Sequence, residues 1–227
     1  MERPMRYVLP LLMFVLFVLF LASLWIVFIH APTEKVMGPI QKIFYYHVPS
    51  AIATFLAFFV VFIASIVYLC TKNLLWDNIA RSSAEIGVFF CTIVLITGPI
   101  WAKEAWGTWW TWEARLTTTL ILWLIYVAYL LVRGYSENRD QAARFSSVLG
   151  IIGFLDVPII YFSVKWWRGQ HPIIFGPDRE GSLEPAMLHA FLFSLVTFVL
   201  FYLFLMILRT KISQLEDRTS ILKEKIL

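Results

Sequence analysis

Charge is what this sequence is short of. Only 15% of its 227 residues are Asp, Glu, Lys or Arg, against about 25% in an ordinary soluble domain. That shortage excludes a solvated surface over most of the chain. Cysteine is scarce as well: Cys70 and Cys91 are the two. They fall at different depths of the predicted helices and away from the oxidising side, so no disulfide is expected. The missing motifs narrow the chemistry further. There is no C-x-x-C-H, so no covalent c-type haem attachment. There is no H-x-x-x-H or H-E-x-x-H, as a zinc site on one helix would have. There is no G-x-x-x-x-G-K-[ST], so ATP hydrolysis, if coupled to this chain, belongs to a partner and the chain is not itself an enzyme. No basic stripe with interleaved aromatics exists. The net charge of +4 is spread over loops, which suits anionic membrane lipid and not nucleic acid.

What the sequence has in abundance is apolar residues, 60% of the chain, with a mean hydropathy of +0.76. They fall in blocks, and a membrane-spanning helix needs about 20 mostly apolar residues. Six blocks qualify, at roughly 8–29, 49–70, 84–102, 117–132, 146–164 and 187–208. The fourth is short, so its helix is expected to begin earlier. A barrel would instead alternate polar and apolar residues. The fold class is therefore an all-α integral membrane protein of about six transmembrane helices. The first block follows Arg3 and Arg6, as a signal peptide would. It is too long for one, and Ile29-His30-Ala31-Pro32 makes a poor cleavage site, so it reads as a retained helix.

Loop cations orient the bundle. The N-terminus, loops two and four and the C-terminal tail carry twelve Lys and Arg, against seven in the other loops. The positive-inside rule then puts both termini in the cytoplasm and loops one, three and five outside. The outer loops are the longer ones and are expected to carry the function. Residues 1–208 read as one membrane domain. Residues 209–227 read as a cytoplasmic tail in which Ile212, Leu215, Thr219, Leu222 and Ile226 form an amphipathic helical stripe.

The third outer segment is the compositional anomaly. Residues 106–115 read Trp-Gly-Thr-Trp-Trp-Thr-Trp-Glu-Ala-Arg. As an interfacial helix this segment would put Trp106, Trp109, Trp110 and Glu113 on one face, with Trp112 beside them. An aromatic belt is the plainer explanation, but a belt marks both interfaces. Eight of the ten tryptophans map near the outer face, and only Trp76 maps clearly inside. A flat ligand with a π face is the natural partner of such a surface. All four histidines, His30, His47, His171 and His189, map to the same side. Imidazole beside flat aromatic surface suits haem, and no histidine lies mid-membrane as in a cytochrome b.

Residues 106–118, WGTWWTWEARLTT, resemble the tryptophan-rich signature of the haem-handling proteins of cytochrome c maturation, and nearly the whole chain resembles the CcmC family. The resemblance rests also on residues 42–49, KIFYYHVP, and on Pro158-Ile159-Ile160 and Ser163-Val164-Lys165-Trp166-Trp167 leading to His171. It implies non-covalent haem b at the periplasmic face of the bacterial inner membrane, with His47 and His171 as axial ligands. Trp106, Trp109, Trp110 and Trp112 would support the porphyrin. The haem would pass to the chaperone CcmE, with the ATPase CcmA, CcmB and CcmD as partners. Glu113 stands where the family signature has Asp, which lengthens the carboxylate's reach by one methylene. Arg115 is the candidate for a haem propionate, since its planar fork matches a carboxylate, ahead of Lys103, Lys165 and Arg168. The rival reading is a permease moving haem or another solute through its helices. Only Glu85 and Asp156 offer polar groups along such a path, and both read equally well as structural.

Overall fold

The computed structural model describes residues 5–136, 138–167, 171 and 183–226. Most of the loop expected to be the longest outer one lies outside them, including Arg168, Pro172, Pro177 and Arg179. Among the described residues, six helical stretches are long and apolar enough to cross a membrane. The elements are α1 (Met5–Trp25), running into one π-turn over Ile26–His30, a 3-10 turn over Pro39–Ile43, α2 (Phe44–Thr71), α3 (Leu74–Trp106), α4 (Ala114–Tyr135), α5 (Arg139–Phe154), α6 (Asp156–Trp167) and α7 (Pro185–Ile226). In lipid a helix is the one open segment that pairs its own backbone, so the apolar runs fold this way. The short fourth block does gain residues at its start, at Ala114.

The fifth span is two helices in line. α5 stops at Phe154, and Asp156 opens α6. Pro158 explains the break: within the first turn of a new helix its missing N–H costs nothing, whereas mid-helix it would break a hydrogen bond. Asp156 therefore sits at a helix N-terminus, where the dipole favours a carboxylate.

α2 and α3 form the most extensive helix pair. They approach closely because Gly87 has no side chain: a Cβ there would fall 2.4 Å from Phe58 Cε1. Ser83 Oγ donates to the Ala57 carbonyl at 2.8 Å across the same seam. Phe58 in turn stacks on Tyr126 of α4, with 3.6 Å between ring centroids.

The two ends of the bundle differ in chemistry. One end is tied by ions. Arg133 grips the fully buried Asp77 with two hydrogen bonds, of 2.6 and 2.7 Å, and reaches Ser146 at 2.9 Å. Glu85 pairs with Arg81 and Arg209, so it closes an ion-pair network and is not an isolated charge in the bilayer. Asp217 pairs with Arg139 and accepts from Asn78. α7 runs unbroken to Ile226 and is bound here by its polar face, while Ile212, Leu215 and Leu222 stay exposed. The opposite end carries His30, His47, His171 and His189, and is called the histidine end below.

Removing one partner of a buried ion pair leaves the other charge uncompensated, at about 3–5 kcal/mol. Asp77→Ala is therefore expected to lower the unfolding free energy by about that amount, read by thermal unfolding in detergent. Asp77→Leu combined with Arg133→Met is expected to recover most of the loss.

Candidate functional site

The tryptophan segment is not a helix. α3 ends at Trp106 because Gly107 takes the left-handed conformation, φ +76°, with its N–H bonded to the Lys103 carbonyl. Lys103 Nζ also caps the Gly107 carbonyl at 3.1 Å. Residues 107–113 then run without helical structure to Glu113, whose ψ of 158° is extended, and α4 starts at Ala114. This corrects the expected interfacial helix: glycine at the C′ position stops the helix before its tryptophans can share a face. The indoles divide instead. Trp106 meets Trp101 edge-on at 5.1 Å, and Trp110 meets Trp112 edge-on at 5.8 Å. Trp109 and Trp112 are 58% and 76% exposed, so their faces are open to a ligand or lipid.

His47 lies in the first turns of α2, with Nδ1 2.8 Å from Thr97 Oγ1 of α3. A Cβ at Gly98 would stand 3.4 Å from His47 Cε1, so the imidazole packs in ordinary contact against the α3 backbone. His171 lies 6.3 Å from the Trp101 ring and 6.2 Å from the Trp106 ring, centroid to centroid. Thr97 and Trp101 are four residues apart on α3 and share a face, one turn from each other. The two histidines thus flank neighbouring turns of one helix face.

Arg115, in the first turn of α4, joins this group. Its Nη1 donates to His171 Nδ1 at 3.2 Å, and its Nη2 donates to the Tyr161 carbonyl at 3.3 Å. Among the described residues, buried Arg115 Nε, Trp110 Nε1, Thr111 Oγ1 and Thr117 Oγ1 have no hydrogen-bond partner. Buried polar atoms are ordinarily paired, so these four, within residues 110–117, leave unspent bonding capacity for polar ligands. An apolar cleft of about 310 Å³ lies beside Thr97, lined by Phe28, Pro39, Ile40, Lys42, Ile43 and Tyr46.

His30 and His189 are not drawn in. His30 is exposed and stacks on Trp25 at 5.9 Å, and His189 is exposed on α7. Lys42 donates to the Phe28 carbonyl at 2.9 Å. In the loop before α2, Glu34 accepts from the backbone N–H groups of Met37 and Val36, which hold its carboxyl below the usual carboxylate range. Thr97, Gly98 and Trp101 were not singled out by sequence; the available signal was their spacing on one face at the end of a predicted helix that points to the histidines.

The profile of the CcmC family, described as heme exporter protein C, matches residues 2–225. The chain belongs to the CcmC family. Among its relatives, the heme exporter protein C of Escherichia coli K12 is 35% identical over 200 residues, 87% of this chain and 80% of the relative. That of Rhodobacter capsulatus is 31% identical over 186 residues, 81% of this chain and 77% of the relative. A cytochrome c biosynthesis ccmC-like mitochondrial protein of Marchantia polymorpha is 38% identical over 149 residues, 66% of this chain and 61% of the relative.

Gly107→Ala puts a Cβ into a left-handed backbone, which costs about 1–2 kcal/mol. Thermal unfolding should register a loss of that size, and tryptophan emission should shift as the 106–113 turn rearranges.

Proposed function

We propose that this CcmC-family chain binds haem b non-covalently at the histidine end of its bundle and presents it to a haem chaperone of the CcmE kind. The observation that carries the reading is the meeting of His171, Arg115, Trp101 and Trp106 one turn along α3 from the His47–Thr97 contact. Two imidazoles, a guanidinium and indole faces are the donor set that haem asks for.

In this reading His47 and His171 would hold the iron, each through an imidazole nitrogen. Haem, when bound, would supply an iron centre that takes imidazole as a ligand. Trp106, Trp109, Trp110 and Trp112 bury the macrocycle's apolar surface, and Arg115 trades hydrogen bonds with His171 and Tyr161 for one with a propionate. Glu113 stands two residues from Arg115 and holds the segment's carboxylate. The orientation that suits this role has the histidine end in the periplasm, both termini in the cytoplasm and the chain in the bacterial inner membrane. CcmA, CcmB and CcmD would complete the complex, with ATP hydrolysis in the partner ATPase. The pairing of Glu85 with two arginines removes one of the two polar groups that a permease path would use.

Purified protein is expected to show a Soret band of bis-histidine character. His47→Ala or His171→Ala should weaken or shift it, and His30→Ala should leave it unchanged. Loss of the band in His189→Ala with retention in His171→Ala would overturn the ligand pairing. In a variant lacking Cys70 and Cys91, a cysteine at Thr108 should react with an impermeant thiol reagent added from the periplasm. Reaction from the cytoplasm alone would reverse the orientation.

A further inference from the structure

The Thr97 hydroxyl has one proton, and the backbone takes it: Oγ1 donates to the Ile93 carbonyl at 2.7 Å. The same oxygen lies 2.8 Å from His47 Nδ1. An oxygen whose proton is engaged offers only lone pairs, so Nδ1 has to carry the hydrogen of that contact. A neutral imidazole holds one proton. Nε2 is then the lone-pair nitrogen. The packing of Cε1 against the backbone at Gly98 fixes the ring from a second side.

His171 is set the other way. A guanidinium can only donate, and Arg115 Nη1 faces His171 Nδ1 at 3.2 Å. That nitrogen accepts, so the proton of a neutral His171 lies on Nε2. The two histidines differ because their neighbours differ: a hydroxyl with a spent proton for one, an obligate donor for the other.

We propose that Thr97 is the positioning residue of the site: it holds His47 in the Nδ1–H tautomer with Nε2 preset as the iron ligand before haem arrives. The proposal rests on the reading of His47 as an axial ligand and adds a residue to it. The hydrogen bond from Nδ1–H to an oxygen also makes Nε2 a stronger donor. His171 gains a comparable state only when Arg115 leaves its Nδ1.

The test begins with haem-free protein in lipid nanodiscs, labelled with ¹⁵N-histidine, the His47 signals being assigned by their loss in His47→Ala. Nδ1 is expected at the protonated position and Nε2 at the unprotonated one. Thr97→Val keeps the β-branched shape without the oxygen and should give a mixture of tautomers; Thr97→Ser should restore the single one. With haem bound, Thr97→Val should release it to a scavenging apoprotein about 10–100-fold faster and raise the midpoint potential, with Thr97→Ser close to the unchanged protein. A protonated Nε2 on His47 in the unchanged protein would overturn the proposal. So would a Thr97→Val variant with the same tautomer and release rate as the parent. An absorption spectrum unaltered by His47→Ala would instead sink the ligand reading itself, and with it the role given to Thr97. The nitrogen spectra of haem-free protein tell that failure apart from the first two.

Discussion

Gly87 leaves the Phe58 ring a place that a methyl group would fill, and α2 settles against α3 at the depth this permits. The Ser83 hydroxyl bonding the Ala57 carbonyl holds the two helices at one rotation and one height. Height matters at the far end of the same seam. His47 and Thr97 are about three to four turns away from this contact, yet their 2.8 Å separation is possible only if α2 neither slides nor rolls on α3. A slide of one residue would move the imidazole about 1.5 Å along the axis, which is enough to break the bond. The geometry at the histidine end is thus inherited from packing in the apolar middle, where interiors are dense and resist small shifts.

The two ends of the bundle divide the labour between tying and binding. Asp77 with Arg133, Glu85 with Arg81 and Arg209, and Asp217 with Arg139 connect α3, α4, α5 and α7 at one end. The charged partners there are mutually satisfied. At the histidine end, polar atoms such as Trp110 Nε1 and Arg115 Nε are buried without partners, and Trp109 and Trp112 are open. Fixing the helices firmly at one end lets the other keep unsatisfied groups without the helices collapsing onto them.

The six spans were legible because a lipid-facing helix announces itself in runs of apolar residues, and Arg115 could be picked out because it is a cation next to tryptophans. The shape of the tryptophan segment was misread, since periodicity favours a helix and says nothing of a glycine with φ +76°. That one conformation separates Trp106 from Trp109 and Trp110. Glu85 looked like a lone intramembrane carboxylate, and its arginine on α7 lies 124 residues away in sequence. Thr97 was invisible for a different reason. A threonine in an apolar helix commonly bonds its own backbone four residues back, and this one does. Its second contact, to an imidazole on another helix, depends on a packing height that no pattern in the sequence specifies.

α7 is one helix of 42 residues, about 63 Å long at 1.5 Å per residue. The loop between α6 and α7 enters it at Pro185, and its other end is held by Glu85, Asn78 and Arg139 through Arg209, Ser213 and Asp217. Between these ends it packs on α2 and α3 through Phe198 and Tyr202. Tyr202 stands 17 residues from Pro185, about 25 Å of helix, so a rigid tilt of about 5° about that contact would displace Pro185 by roughly 2 Å.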